Sequence, residues 1–365
     1  MQSLLDLPES LLPTAEFVAR SLESVQSVFD EQLRSDLPPV SRLCRHVERY
    51  RGKMLRPTMV ILCGLAAHPR AAQAAPEDLI SREHLTIAAV CEMVHMATLV
   101  HDDVLDEADT RRRGDTVNRL YGNEAAVILG DYLIASAYHL CSSIRSPSAP
   151  AEGEAESSRP GVAADRHNPA LAIGRASMVM CSGELLQLHH RNDYSLDEPT
   201  YYEIIERKTA ALIATSAELG AAQSGADEVT CERFAQFGRK LGVAFQIQDD
   251  LLDLMGHESV VGKSVGKDLE KGKMTLPLIH HLAHAPALQR GRTLLALDQS
   301  LPPSDLSRHG EELLAALESS GSIDYAARTA RAFVEDAKRS LEKLYDSPAK
   351  SMLLALADAV VARAF

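Results

Sequence analysis

The stretch Leu85–Arg113, LTIAAVCEMVHMATLVHDDVLDEADTRRR, decides the fold. Its first sixteen residues are mostly apolar and contain neither proline nor glycine, which predicts a long buried helix. A group of aspartates closes this run, and three arginines follow at 111–113. If the helix continues through Asp106, then Asp102 and Asp106 share a face, because positions four apart are neighbours on a helix.

Clustered carboxylates at a helix end have two explanations. They can form a solvated end, or they can bind Mg²⁺, which prefers oxygen ligands and usually keeps waters or phosphate oxygens. The arrangement recurs in FQIQDDLLDL, residues 245–254, where Asp249 and Asp253 share a face and Asp250 lies between them. Two such clusters, each followed by basic residues, favour metal binding. If they face each other, they can hold several Mg²⁺ ions around one diphosphate.

The remaining sequence predicts an all-α fold. Apolar residues recur at helical spacing over 14–34, 57–68, 77–106, 116–144, 170–190, 198–224 and 228–255, and about four further helices follow. Strand-like alternation is not sustained anywhere. The stretch 146–169 is rich in proline, serine, glycine and glutamate, which predicts a flexible insertion within a single domain spanning 1–365.

Composition narrows the possible functions. The 365 residues are 45% hydrophobic and carry a net charge of -13, which argues against nucleic acid as a partner. Six scattered cysteines without a CxxC pair indicate buried thiols in a reducing compartment. The N-terminus lacks the pattern of a signal peptide, and no uninterrupted apolar run reaches the ~20 residues of a membrane span. We therefore expect a soluble, cytoplasmic protein without stable membrane insertion.

The two aspartate motifs, in their order and spacing, resemble those of the trans-polyprenyl diphosphate synthase family, from about Arg51 to the region of Pro277. The resemblance implies a helical bundle of the isoprenoid synthase type around a central cavity, and a homodimer. It also implies Mg²⁺-dependent head-to-tail condensation of isopentenyl diphosphate with an allylic diphosphate. Three Mg²⁺ ions per active site are expected, bound by Asp102, Asp106, Asp249 and Asp253.

The same resemblance implies roles for the basic residues. The stretch RGKMLRP, residues 51–57, is similar to the family's GKxxRP, so Lys53 and Arg56 would hold the diphosphate of isopentenyl diphosphate. Arg111 would face the allylic diphosphate and Arg112 the isopentenyl diphosphate, whereas Arg113 stands where the family commonly has glycine. The substrate-binding positions carried over elsewhere are His95, Lys208, Thr209, Gln246, Lys263 and Lys273, and Asp268 is a further candidate metal ligand.

In the implied reaction an allylic diphosphate ionises, and the alkene of isopentenyl diphosphate attacks the carbocation. The residues expected to neutralise the departing diphosphate are Asp102, Asp106 and Asp249, through metal ions, with Arg111, Lys208 and Lys263. No dedicated base is evident, so the departing diphosphate is the expected proton acceptor.

The length of the product is expected to depend on the residues that precede Asp102. Ala97, Thr98 and Val94 are small, which predicts a product longer than twenty carbons unless another helix closes the pocket.

Three other readings stay open. A terpene cyclase shares the fold and one DDxxD, but an aromatic-lined pocket is hard to build with no Trp and 4% aromatic residues. A head-to-head condensing enzyme would carry different aspartate motifs. A subunit of a hetero-oligomeric prenyl synthase is the third alternative. A non-catalytic subunit typically loses its motif aspartates, whereas all six are present in this sequence.

Overall fold

The computed structural model describes residues 8–50, 52–71, 73–111, 114–144, 168–255, 272–297 and 312–362. The N-terminal part is helical apart from one short hairpin. Its elements are α1 (Leu12–Gln32), α2 (Pro38–Val47), α3 (Leu55–Ala67), α4 (Arg82–Leu105), β1 (Thr110–Arg111), β2 (Gly114–Asp115), α5 (Val117–Tyr121) and α6 (Asn123–Cys141). Short 3-10 turns cover Glu9–Leu11, Glu48–Tyr50 and Pro76–Asp78.

The described residues of the C-terminal part form helices and the turns and loops that join them. Its elements are α7 (Pro169–His189), α8 (Glu198–Ile205), a π-helical turn (Glu206–Ala210), α9 (Ala211–Gln223), α10 (Glu228–Met255), α11 (Leu276–His284), α12 (Ala287–Ala296), α13 (312–319), α14 (Ser322–Ser340) and α15 (Pro348–Val361). These assignments confirm the all-α prediction.

The chain divides into two compact units. Unit 1 contains Met1–Met178, Ala211–Arg239 and Ala337–Ala359, and unit 2 contains Val179–Ala210, Lys240–Asp336 and Val360–Phe365. The first aspartate motif belongs to unit 1 and the second to unit 2. The predicted single domain over 1–365 stays a prediction, and the predicted insertion lies outside the described residues except for its last two positions.

Helix α4 is the central helix of unit 1. It begins with a capping box, in which the Ser81 backbone N–H donates to His84 Nδ1 at 3.2 Å. It then packs against α1, α3, α6 and α9, so that most of its residues are buried. Length and composition alone would allow Arg82–Leu105 to cross a membrane, but 72% of its most apolar window is buried in the fold, as in the core helix of a soluble protein.

Close contact between α3, α4 and α9 completes this core. Ser224, just after α9, donates through Oγ to the Gly64 carbonyl of α3 at 2.7 Å, and the same Oγ lies 3.0 Å from His84 Nε2. A buried polar link therefore joins the three helices at the end opposite to the aspartates. Burial lowers the pKa of His84 to about 4, so its ring is neutral at physiological pH.

Unit 2 has its own apolar core. Tyr201 and Ile205 of α8 pack there with Ile247 and Leu251 of α10, and further side chains come from α11, α13 and α14. Because α10 buries this apolar face up to Leu254, the aspartates of the second motif are carried on a packed helix.

The structure differs from the predicted elements in four places. The predicted helix 77–106 begins only at Arg82, with Ser81 as its N-cap. Helix α2, which the predicted helices do not include, begins at Pro38 and Pro39, because proline needs no N–H donor in the first turn. The predicted helix 116–144 divides at Gly122, whose φ of 86° lies in the left-handed region. The predicted helix 198–224 contains the π-helical turn Glu206–Ala210.

Candidate active site

The first aspartate motif lies at the C-terminal end of α4. The helix ends at Leu105 and Asp106 is its C-cap, one residue earlier than predicted. The Asp106 N–H still donates to the Asp102 carbonyl at 2.8 Å, so the last turn keeps helical geometry. The expected placement of Asp102 and Asp106 on one face is therefore confirmed, and both are partly exposed.

Asp103, the middle aspartate, points into the protein. It is 1% exposed and accepts a hydrogen bond from Arg111 Nε at 2.7 Å. Burial raises the pKa of this carboxyl group, while the Arg111 charge and hydrogen bond oppose that rise. Asp103 therefore anchors Arg111, whereas Asp102 and Asp106 are the partly exposed carboxylates of this motif.

The hairpin that carries Arg111 is held against the end of α4. Its strands pair Thr110 with Asp115 and Arg111 with Gly114. Thr116 Oγ1 donates to the Ala108 carbonyl at 2.6 Å, and Asn118 Nδ2 donates to the carbonyls of Asp103 and Ala108. These hydrogen bonds therefore hold the hairpin that carries Arg111 in place. Arg112 and Arg113 lie outside the described residues.

The basic segment before α3 has an unusual backbone. Met54, the residue before α3, is buried and left-handed with φ 52°, and it separates exposed Lys53 from partly exposed Arg56. This turn lets the chain change direction between the two cations. Their predicted contact with isopentenyl diphosphate stays a prediction.

The positions upstream of Asp102 lie inside unit 1. Val94 and Ala97 are fully buried, and Thr98 Oγ1 donates to the carbonyl of partly buried His95 at 2.8 Å. Neighbouring protein atoms therefore cover Val94 and Ala97 completely. The roles predicted for these four residues stay predictions.

The second aspartate motif closes α10 in the same way. Asp249 and Asp253 are partly exposed, whereas Asp250 is 5% exposed and bound inside unit 2. Its Oδ2 accepts from the Tyr201 hydroxyl at 2.7 Å, and its Oδ1 accepts from Gln246 Nε2 at 2.8 Å. The middle aspartate is thus an internal anchor in both motifs.

A hydrogen-bond chain connects this anchor to the Lys208–Thr209 pair. Thr209 Oγ1 donates to Gln246 Oε1 at 2.7 Å, so both ends of the Gln246 amide bind protein groups. Gln246 consequently orients Asp250 and Thr209, and its predicted contact with substrate stays a prediction.

Lys208 lies on the π-helical turn rather than on a regular helix. Its ammonium pairs with Glu184 of α7, and both side chains are largely shielded from solvent. A methyl group on Gly183 would lie 2.6 Å from Lys208 N, so glycine is required for this close approach. The π-helical turn and Gly183 together determine the position of the Lys208 backbone.

The last two predicted lysines lie around a segment that is not described. Lys263 and Asp268 fall within 256–271, outside the described residues. Lys273 follows Gly272, whose carbonyl accepts from the Asn192 N–H at 2.9 Å. Gly272 has φ 69°, and a Cβ there would collide with Asn192 Oδ1 at 1.7 Å, so this junction is fixed next to Lys273.

A divalent cation such as Mg²⁺ needs several oxygen ligands. Among the described residues, no three His, Cys, Asp or Glu side chains come together as a complete metal site. Each motif instead offers two partly exposed carboxylates four positions apart, on a face separate from its buried anchor. Mg²⁺ is commonly bound by one or two carboxylates, with waters and substrate phosphates completing its octahedron, so these residues fit it.

Sequence reasoning missed several residues that shape the site: Tyr50, Asp103, Glu184, Tyr201 and Asp250. Helical spacing could have predicted the separate roles of Asp103 and Asp250. Each directly follows a motif aspartate, and consecutive helix residues point about 100° apart, so each lies on a different face from its predecessor. Tyr50, Glu184 and Tyr201 carried no such signal, because their partners are distant in sequence.

Comparison with known proteins gives consistent matches. Residues 38–304 match the polyprenyl synthetase family. The chain is 32% identical over 349 residues to octaprenyl diphosphate synthase from Escherichia coli (strain K12), covering 95% of this chain and 97% of that protein. It is 31% identical over 343 residues to heptaprenyl diphosphate synthase component 2 from Geobacillus stearothermophilus, covering 93% and 95%. The crystal structure of geranylgeranyl pyrophosphate synthetase from Pyrococcus horikoshii superposes with a TM-score of 0.80 at 29% identity, covering 96% and 99%.

Proposed function

Because the chain belongs to the polyprenyl synthetase family, we propose that it is a prenyltransferase that condenses isopentenyl diphosphate head-to-tail with an allylic diphosphate. The product is a trans-polyprenyl diphosphate. The observation that carries this proposal is the paired arrangement of both motifs, in which one aspartate is buried as an anchor and two are partly exposed on one helix face.

Each group of residues has a distinct task in this reaction. Asp102, Asp106, Asp249 and Asp253 are assigned to bind divalent cations, for which three Mg²⁺ ions are proposed. Bound metal supplies charge neutralisation for the departing diphosphate. Arg111, Lys208 and Thr209 orient the allylic diphosphate, with Lys263 assigned to the same group by sequence.

The isopentenyl substrate needs separate binding groups. Lys53, Arg56 and Arg112 are assigned to its diphosphate, and His95 and Lys273 to further diphosphate contacts. Pre-positioned cations stabilise negative charge as it develops on the leaving group, at little reorganisation cost. The released diphosphate then accepts the proton lost from the new carbon chain, so a dedicated protein base is not required.

For product length we propose more than twenty carbons. Support comes from the small side chains at Ala97, Thr98 and Val94, and from the absence of Phe, Tyr and Trp in the turn before Asp102. The relatives carry octaprenyl, heptaprenyl and geranylgeranyl names, so related chains are named for products of several lengths.

For assembly and location we propose a cytoplasmic homodimer. Support for a subunit interface comes from exposed apolar side chains in unit 1, with Val127 40%, Ile128 67% and Met178 75% exposed. A relative named as component 2 of a heptaprenyl synthase favours one alternative, a catalytic subunit that needs a second protein.

The proposal is tested by incorporation of radiolabelled isopentenyl diphosphate with farnesyl diphosphate and the purified chain alone. We expect incorporation with Mg²⁺ and none after chelation, with recovery when Mg²⁺ is restored. Asp102→Asn and Asp249→Asn should each reduce the rate by about 10²-fold or more, as loss of a charge-stabilising group commonly does. Activity that appears only after a second protein is added would favour the subunit alternative, and cyclic hydrocarbons as products would favour a cyclase.

A further inference from the structure

Tyr50 occupies a buried position beside the first aspartate motif. It ends the 3-10 turn Glu48–Tyr50 and is 1% exposed. Its hydroxyl accepts a hydrogen bond from the Val117 N–H at 3.0 Å, which satisfies a donor in the first turn of α5. Tyr50 therefore ties the segment before α3 to the helix that follows the hairpin.

The ring of Tyr50 supports the Arg111 guanidinium. Arg111 Cζ lies 6.0 Å from the ring centroid, within the range of a cation–π contact. Asp103 holds the same guanidinium through Nε at 2.7 Å. Asp103 fixes the Nε end of the guanidinium and the Tyr50 ring lies next to its Cζ, so two contacts limit the directions in which the Nη groups can point.

The charge state of Tyr50 suits this role. Burial, and after it the negative charge of Asp103, raise the pKa of Tyr50, so the phenol is protonated at neutral pH. The phenol therefore adds no negative charge next to Asp103.

We propose that Tyr50 is a positioning residue that holds Arg111 in the orientation needed to bind the diphosphate of the allylic substrate. This inference rests on the proposed function and deepens it. Arginine has a planar guanidinium that stacks on aromatic faces and binds phosphate with two N–H groups at once. Contact with the Tyr50 ring already restricts the Arg111 side chain, so less side-chain entropy would be lost when substrate binds.

The test compares substrate KM values in Tyr50→Leu and Tyr50→Phe. Loss of the ring should raise KM for farnesyl diphosphate roughly 3- to 30-fold, while KM for isopentenyl diphosphate changes less than about twofold. Tyr50→Phe keeps the ring and should change KM less than Tyr50→Leu does. In an Arg111→Gln background, Tyr50→Leu should add almost nothing. Equal changes in both KM values, a change in kcat alone, or a full additional loss beside Arg111→Gln would overturn the proposal.

Two further variants separate positioning from folding. Fluorinated phenylalanines at position 50 keep the ring shape but weaken its negative face, so KM for farnesyl diphosphate should rise with fluorine content. No trend across this series would also overturn the proposal, and the series remains informative if Tyr50→Leu fails to fold. Tyr121→Phe is the matched control, because Tyr121 packs against His46 at the same 6.0 Å centroid distance as Tyr50.

Calorimetric titration with inorganic diphosphate and Mg²⁺ distinguishes the two proposals. If the wild-type chain binds diphosphate without turnover, and Tyr50→Leu weakens that binding, the proposed function fails and the positioning role stands. If the wild-type chain condenses its substrates, and Tyr50→Leu affects neither KM nor diphosphate binding, the positioning role fails alone.

Discussion

The close contact between α9 and α3 makes Gly220→Ala a strongly destabilising substitution. A Cβ at Gly220 would lie 2.3 Å from Val60 O and 3.0 Å from Val60 C, against 3.4–4 Å for ordinary contact. The helices would have to separate by about 1.1 Å (3.4 minus 2.3), because backbone atoms cannot rotate away. Overpacking of this kind typically costs about 1–3 kcal/mol, and the better helix propensity of alanine returns up to about 1 kcal/mol.

A 2.3 Å contact with a backbone oxygen lies at the upper end of that overpacking range, so we expect Gly220→Ala to lower the apparent free energy of unfolding by about 2 kcal/mol. The assay is equilibrium urea denaturation followed by far-ultraviolet circular dichroism. Gly291→Ala is the matched control, because Gly291 lies in α12 with no atom within 4 Å of its added Cβ. That variant should gain about 0.5–1 kcal/mol. A Gly220→Ala protein as stable as the wild type would refute the close packing of α3 and α9.

Three further predictions concern product length, the second motif and acid stability. Ala97→Phe should shorten the final product while the protein still melts cooperatively; unchanged product length in a folded variant would contradict the proposed path of the prenyl chain. Tyr201→Phe removes a 2.7 Å hydrogen bond to buried Asp250 and should cost roughly 1–3 kcal/mol in urea denaturation; an unchanged midpoint would show that the bond contributes nothing. Hydrogen bonds from Ser195 and then His190 lower the pKa of Asp193 from 3.8 to about 2, so its contribution to stability is present above pH 3.8 and disappears as pH falls toward 2. Acid titration of Asp193→Asn should show a shallower loss of stability across that range than the wild type, and identical curves would contradict the shift.

The sequence predicted the central helix and the aspartate face well. Residues 85–100 are mostly apolar and contain neither proline nor glycine, which indicates a helix, and the four-residue spacing of Asp102 and Asp106 needs no tertiary information. The same spacing placed Asp249 and Asp253 together on α10. These predictions succeeded because they depend on local geometry alone.

Features that depend on distant partners could not be predicted in this way. The hairpin strands are two residues long, too short to show alternation, so nothing indicated that Arg111 would return to Asp103. The π-helical turn is only five residues long and contains neither proline nor glycine, so the sequence shows no break in the helix there. The pairing of Lys208 with Glu184 joins residues from two helices that only the folded chain brings together.

The most direct test of the central claim is the size of the product made by one purified chain. The protein would be incubated with Mg²⁺, farnesyl diphosphate and radiolabelled isopentenyl diphosphate, and the dephosphorylated products separated by length. We predict a ladder of linear prenyl alcohols ending beyond twenty carbons. Products that stop at twenty carbons would keep the reaction and contradict the proposed chain length, and no elongation with any allylic primer would contradict the proposed function itself.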